Sequence, residues 1–98
     1  NKTEELARIA RINLDIKRLG IDLGIAEKET GRHVIAAIDG GAATIDCKEN
    51  KITELYQKVN SLKRTIEEKK SEIERIKAES KAAKSEDVKP EPPVEGKE

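Results

Sequence analysis

The chain has 98 residues, of which 20 are basic and 20 acidic, so its formal net charge is zero. This balance creates no overall field toward nucleic acid or an anionic membrane, and the length permits no more than one domain. The chain contains no Phe, Trp or Met, one Tyr and one Cys. A core of Ile, Leu, Val and Ala alone is small, so we expect long helices that pack on other helices or other chains.

A first helix is predicted over residues 2–19, KTEELARIARINLDIKRL. Asn1 or Thr3 can act as the N-cap, and Glu4 and Glu5 suit the positive end of a helix dipole. Gly20 follows two basic residues, which is typical of a helix C-terminus. The apolar residues of this segment recur at helical spacing, at Leu6, Ile9, Ala10 and Ile16.

The next stretch, residues 20–45, has the alternation of a short β-hairpin-like or Gly-rich segment. Around its start, apolar side chains alternate with Gly and Asp, which is the spacing of a strand. The sequence EKETGR is typical of a hairpin turn, HVIAAI of a second strand, and DGG of a further turn. We therefore predict a β-like segment between two helices.

A different arrangement of the same stretch stays open. Gly20, Gly24 and Gly31 can also lie inside a helix, at a cost of roughly 1 kcal/mol each. Residues 3–38 then form one long helix, and the chain is a plain antiparallel α-helical hairpin that turns at Gly40-Gly41. The local signals favour the β-like version, and the structure decides between the two.

The strongest pattern in the chain predicts a second helix over residues 47–80. Asp46 and Glu49 fit the capping arrangement that begins a helix. From residue 52 onward, positions three and four apart form the a/d heptad pattern of a coiled coil, with Lys69 as its one charged member. We predict the apolar members as an interface: Ile52, Leu55, Val59, Leu62, Ile66, Ile73 and Ile76.

The end of the chain differs in composition from the rest. Residues 83–98 contain all three prolines, mixed charges and few apolar side chains. Such a segment cannot bury enough apolar surface to offset the entropy of folding, so we predict a disordered tail. Residues 1–82 are then a single small helical, coiled-coil domain.

Two Gly-rich segments resemble phosphate-binding motifs. GIDLG, residues 20–24, is similar to the phosphate-1 turn of the actin, Hsp70 and sugar-kinase ATPase superfamily, and AIDGGAATID, residues 37–46, resembles its phosphate-2 segment. The resemblance implies Gly backbone amides around a phosphate, between two subdomains that close over a nucleotide. The residues between the two segments are far too few for a subdomain, so we expect no nucleotide cofactor.

No set of residues predicts catalysis or a metal site. His33 and Cys47 are the only imidazole and the only thiol, whereas zinc needs four ligands, or three and a water. The core is too small to wall a cleft for a small-molecule substrate, and the basic residues lack the aromatic platforms of a nucleic-acid binder. We expect no enzyme, no catalytic residue, no cofactor and no nucleic-acid partner.

The heptad row predicts a partner. A long apolar row must be covered, and a first helix of residues 2–19 covers only about half of it. We therefore expect association with a second copy of the chain or with another helical protein, and strand number and orientation stay open. No apolar run approaches the ~18 residues of a membrane span, so the cytoplasm is the expected compartment. The start at Asn1 is also compatible with a processed or exported form.

These observations favour a non-enzymatic structural, assembly or scaffold protein that oligomerises or docks on a partner through its coiled-coil helix. The alternative is a holdase chaperone or adaptor subunit similar to prefoldin. That family places β-hairpin segments between two coiled-coil helices, and the resemblance is one of layout.

Overall fold

Two long helices account for most of the chain. A computed structural model describes residues 1–49 and 51–87, with side chains as far as residue 81. Helix α1 spans Lys2–Asp39 and helix α2 spans Ile52–Asp87. The two pack against each other as an antiparallel hairpin, an elongated body of 69 × 21 × 17 Å.

The start of α1 is fixed by a reciprocal pair of contacts. The backbone N–H of Glu4 donates to Oδ1 of Asn1 at 3.0 Å, and the Glu4 carboxylate accepts from the amine of Asn1 at 3.3 Å. This arrangement is a capping box, which satisfies backbone donors that have no partner within the helix. It confirms Asn1 as the N-cap.

The prediction of a β-like segment at residues 20–45 is wrong, because α1 continues through most of it and no described residue forms a strand. Leu19 and Leu23 are half-buried on one side of the helix, whereas Ile21 and Ile25 are exposed on another. Each pair is four residues apart, which is one helical turn. Two such pairs on different faces produce the same alternation in sequence as a strand.

The C-terminus of α1 lies far beyond the predicted one. Gly20 is inside the helix, which ends at Asp39. Just after this end, Gly41 adopts a positive φ of 95°, and the N–H of Ala42 donates to the carbonyl of Ala37 at 3.0 Å. A left-handed glycine commonly ends a helix in this way. The chain turns here, so the antiparallel α-helical hairpin that the sequence left open fits the structure.

The connection between the helices contains a capped turn. Oδ1 of Asp46 accepts from the N–H groups of Lys48 at 2.9 Å and Glu49 at 3.2 Å, but no helix begins at residue 47, so the predicted start of the second helix there is wrong. Asp46 caps this turn rather than α2, because Lys51 has a positive φ of 61° and interrupts the helical path. Helix α2 begins at the next residue, Ile52.

Helix α2 extends further than its heptad pattern indicates. It continues to Asp87, past the predicted end at residue 80. Residues 83–87 of the predicted tail therefore belong to α2. The remainder of that prediction, residues 88–98, lies outside the described residues.

The core is a single row of aliphatic side chains between the helices. Near the open end of the hairpin, Ile12 of α1 is buried in one cluster with Ile73 and Ile76 of α2, and Ile9 and Ile16 pack against it. Toward the connection, the buried residues are Ala26 and Leu55. Such a thin core gives each aliphatic residue in it a large share of the stability.

The interior glycines of α1 do not serve close packing between the helices. A β-carbon placed on Gly20, Gly24 or Gly31 would meet no atom within 4 Å. These positions therefore carry the usual helical cost of glycine without the benefit of a close approach within the chain.

We predict that Gly20→Ala, Gly24→Ala and Gly31→Ala each raise the free energy of unfolding by roughly 0.5–1 kcal/mol, because alanine loses less backbone entropy in a helix. Urea unfolding followed by circular dichroism measures the change. The matched control is Gly41→Ala, which lowers stability by about 1 kcal/mol because its positive φ disfavours a side chain. Destabilisation by Gly24→Ala would contradict a helical residue 24.

Candidate interaction surface

The seven predicted interface residues line one face of α2, and this face packs on α1 of the same chain. Leu55, Ile73 and Ile76 are buried there. The remaining four, Ile52, Val59, Leu62 and Ile66, are half-buried. The row is therefore continuous, and a helix of its own chain covers it.

A matching row on α1 covers this face. Its members recur every three or four residues, and all are buried or half-buried: Ile9, Ile12, Ile16, Leu19, Leu23 and Ala26. The spacing is present in the sequence, but it crosses Gly20 and so extends beyond the predicted first helix. Because α1 is as long as α2, the inference that half of the α2 row needs another chain loses its basis.

The charged residue of the α2 row has a partner across the hairpin. Nζ of Lys69 lies 3.5 Å from a carboxylate oxygen of Asp15 on α1, and both side chains remain partly exposed. An ion pair at such a site contributes little to stability, about 0–1 kcal/mol. Its position sets Lys69 level with Asp15 and so marks the register of the two helices.

A different set of aliphatic residues on α1 has no cover. Six large aliphatic residues of α1 are between 48% and 60% exposed: Leu6, Leu14, Ile21, Ile25, Ile35 and Ile38. We call the five from Leu14 to Ile38 the outer stripe. The stripe lies apart from the row that packs on α2. Exposed aliphatic residues are common singly, but these form two groups along one helix, residues 14–25 and 35–38, with Lys28 and Arg32 between them. Exposed apolar groups that recur along one helix mark a candidate interaction surface.

Basic side chains border the outer stripe. They are all exposed: Arg11, Lys17, Arg18, Lys28 and Arg32. None of the five takes part in an ion pair in the described part of the chain. Exposed acidic residues lie along the same helix, at Asp22, Glu27, Glu29 and Asp39, so the charges on α1 are mixed in sign.

The outer side of α2 has a different character. Its exposed residues include Glu54, Glu67, Glu68 and Glu74, together with Arg64 and Arg75. Among the side chains described on this side, Ala78 is the one aliphatic residue. The hairpin thus has exposed aliphatic side chains on α1, whereas the exposed side of α2 is polar apart from Ala78 and Tyr56, which is 62% exposed.

The groups considered for chemistry are dispersed. Nε2 of His33 lies 4.0 Å from a carboxylate oxygen of Glu29 one turn away, and Cys47 is exposed in the connection. Within the described residues, no three His, Cys, Asp or Glu side chains are grouped as metal ligands. A shallow open groove between the helices is lined chiefly by polar residues, among them Asn13 and Lys70.

The segments that resemble phosphate-binding motifs lack the backbone of such motifs. GIDLG, residues 20–24, is entirely helical, and the second segment, residues 37–46, begins in the last turn of α1. A phosphate-binding turn of that superfamily needs a strand followed by a Gly turn. Neither segment has that strand.

No known protein family, curated protein or solved structure matches the chain. No helix in residues 1–49 and 51–87 combines the length and apolar character that a membrane crossing requires. The fold and its surface define an elongated two-helix hairpin with an uncovered apolar stripe on one side.

The Asp15–Lys69 pair predicts a measurable coupling. Lys69→Glu places two carboxylates together and lowers the free energy of unfolding, and adding Asp15→Lys restores part of the loss. We expect a coupling energy of about 0.5–1 kcal/mol from urea unfolding of the two single variants and the double variant. The control pairs Lys69→Glu with Asp22→Lys, which is two turns from Asp15 and gives no coupling. Equal couplings in both cycles would contradict this register.

Substitutions at two neighbouring residues in the middle of α2, one in the row and one outside it, are expected to differ in their effect on stability. Ile66 is half-buried against α1, and Ile66→Asp removes aliphatic burial and brings an unpaired charge to the core. We expect it to lower the free energy of unfolding by roughly 2–3 kcal/mol. Glu67→Lys, one residue further along on the exposed side, loses only a surface ion pair with Lys70. It therefore changes the free energy of unfolding by less than about 0.5 kcal/mol. Thermal unfolding by circular dichroism measures both, and similar values would argue against a buried row.

Proposed function

We propose that this chain is a non-enzymatic structural or scaffold protein that docks a helical partner through the outer stripe of α1. The observation that carries the proposal is the exposure of five aliphatic side chains along one helix, on a side that does not pack on the other helix of the hairpin. Burial of such a stripe is favourable by about 25 cal/mol for each Å² of apolar surface removed from water.

The docking surface differs from the one that the heptad pattern indicated. The α2 row is covered by α1, so an association that leaves the hairpin intact uses the other side of α1. The partner is a second copy of the chain or another helical protein, and both fit an apolar stripe of this length. The cytoplasmic location stays a prediction.

The chaperone or adaptor alternative rests on a layout that the described residues do not have. Prefoldin-like subunits place β-hairpin segments between their helices, and here α1 occupies that part of the chain. No observation favours this alternative over a scaffold.

Removal of the outer stripe tests the proposal. The double variant Ile21→Asp and Ile25→Asp adds two charges to an exposed surface, so the hairpin stays folded while docking is lost. Two measurements report docking: the molar mass by light scattering over a range of concentrations, and binding to amphipathic helical peptides selected from a displayed library. We expect the variant to abolish self-association or to weaken peptide binding at least tenfold.

The matched control is Gln57→Asp with Ser61→Asp, which adds the same charges four residues apart on the exposed side of α2. Circular dichroism verifies that both double variants remain helical. Docking that survives the α1 variant, or a chain that neither self-associates nor selects helical peptides, would overturn the proposal.

A further inference from the structure

We propose that the outer stripe pairs with the outer stripe of a second copy of this chain, in antiparallel orientation about a two-fold axis level with residue 26. This pairing rests on the proposed function and specifies its partner. Three observations support it: the order of large and small residues along the outer side of α1, the glycines that the hairpin itself does not need, and the polar side of α2 that such a dimer leaves in solvent.

A continuous row of residues runs along the side of α1 that faces away from α2. It begins at Leu14 and ends at Ile38, and consecutive members are alternately three and four residues apart, so they share one face of the helix. In chain order its members are L-K-I-G-K-G-I-I. We call this set the outer row, and it contains four of the five residues of the outer stripe.

Two outer rows complement each other in volume when they run in opposite directions. With the axis level with residue 26, Ile21 lies over Gly31 of the second copy, and Lys28 lies over Gly24. Each long side chain therefore meets a position that has none. A parallel pair would instead place each glycine on a glycine and each lysine on a lysine, which leaves gaps and opposes like charges.

The same register covers the rest of the outer stripe. Toward the ends of the row, Leu14 meets Ile38 of the second copy, and the aliphatic stem of Lys17 meets Ile35. Ile25 lies next to the axis, close to Ile25 of the second copy. All five residues of the stripe then contact the second copy.

Neighbouring antiparallel registers fit less well. A shift by one heptad in one direction brings Lys17 level with Lys28 of the second copy. A shift by one heptad in the other direction places Leu14 level with residue 45, beyond the end of the partner α1 at Asp39. The register about residue 26 avoids both faults.

The glycines of α1 are an independent observation. Gly20, Gly24 and Gly31 weaken the helix, and a β-carbon on any of them would meet no atom within 4 Å. The close approach of a second helix gives Gly24 and Gly31 a role that they do not have in the single chain. Gly20 lies outside the outer row, so it supplies a matched control.

The sign of the bordering charges does not select the partner. In this register Arg11 lies nearest Asp39 of the second copy, whereas Arg18 lies nearest Arg32. One of these pairs is attractive and the other repulsive. The complementary volumes of the outer row therefore carry the choice of a second copy.

The dimer leaves the polar side of α2 in solvent. Both α2 helices lie on the outside of the pair, and their exposed sides are polar apart from Ala78 and Tyr56. One helix face from each copy is a small interface beside the roughly 1,200–2,000 Å² of stable complexes. We therefore expect a reversible dimer that dissociates on dilution.

Leucine substitutions in the full chain test this pairing. Gly24→Leu and Gly31→Leu fill the positions that receive a side chain of the second copy, so each is expected to weaken dimerisation about tenfold or more. Gly20→Leu makes the same change in the same helix and leaves dimerisation unchanged. Analytical ultracentrifugation measures the dissociation constants. Urea unfolding of dilute protein verifies that all three variants are at least as stable as the parent, because leucine favours a helix more than glycine does.

A second substitution identifies the contact. Ile21→Ala makes room for a larger residue at position 31 of the second copy, so adding it to Gly31→Leu restores much of the dimerisation. Ile35→Ala removes a side chain of the same kind that lies opposite Lys17 instead, and it gives no rescue.

Spin labels measure the orientation of the two helices. With Cys47→Ser as background, labels on Glu29→Cys and Ala36→Cys lie on one exposed side of α1. In the proposed register the two Glu29 positions are offset along the axis by about 9 Å and the two Ala36 positions by about 30 Å, at 1.5 Å per residue. Pulsed electron paramagnetic resonance is expected to give a clearly longer distance for the Ala36 label.

Each other result overturns the second copy or its register. Dimerisation that Gly24→Leu and Gly31→Leu do not weaken, rescue by Ile35→Ala but not by Ile21→Ala, or equal label distances would contradict the proposed pairing.

The oligomeric state separates this pairing from the proposed function. If the chain is monomeric at every concentration but binds helical peptides that Ile21→Asp with Ile25→Asp abolishes, the docking surface stands and the second copy is wrong. A dimer that survives this double variant uses a different surface, so the pairing and the docking role both fail. If the chain neither dimerises nor binds helical peptides, both fail as well.

Discussion

The burial of the α2 aliphatic row against a helix of equal length is the constraint on which the rest of the hairpin depends. If α1 ended at Gly20, the first half of α2, with Ile52, Leu55 and Val59, would lose its cover. Three interior glycines cost roughly 1 kcal/mol each, whereas a fully buried aliphatic side chain contributes about 1.5–3 kcal/mol. Packing therefore outweighs the local preference to end the helix.

Because α1 continues as a helix through residues 19–25, its apolar residues lie on two different sides. Helical geometry sends Leu19 and Leu23 toward α2 and leaves Ile21 and Ile25 on another side. The basic residues without ion-pair partners border the second surface. Exposed acidic residues lie among them on the same helix, so this surface is distinguished by its uncovered aliphatic side chains rather than by its charge.

The sequence predicted those features that depend on local or strictly periodic signals. Asn1 as a cap and the α2 row from Ile52 to Ile76 are of this kind, because a cap is local and the row repeats over many turns. The helical conformation of residues 20–39 was not predictable in the same way. Locally, the alternation of apolar residues favours a strand and glycine favours a helix end, but packing on α2 outweighs both preferences. The outer stripe could be identified only once α1 was known to continue through these residues. It is the part of α1 that α2 leaves uncovered, and it is defined only once the covered side is known.

The composition of the outer stripe also bears on how an exposed apolar surface avoids indiscriminate association. Aliphatic burial alone would join any two copies of this hairpin, because burial is not directional. Exposed charges of both signs lie along the stripe, with Arg18, Lys28 and Arg32 among Asp22, Glu29 and Asp39. A partner whose charges oppose them in register is favoured over one whose charges do not. Unfavourable contacts with a wrong partner contribute to such discrimination together with favourable contacts to the correct one.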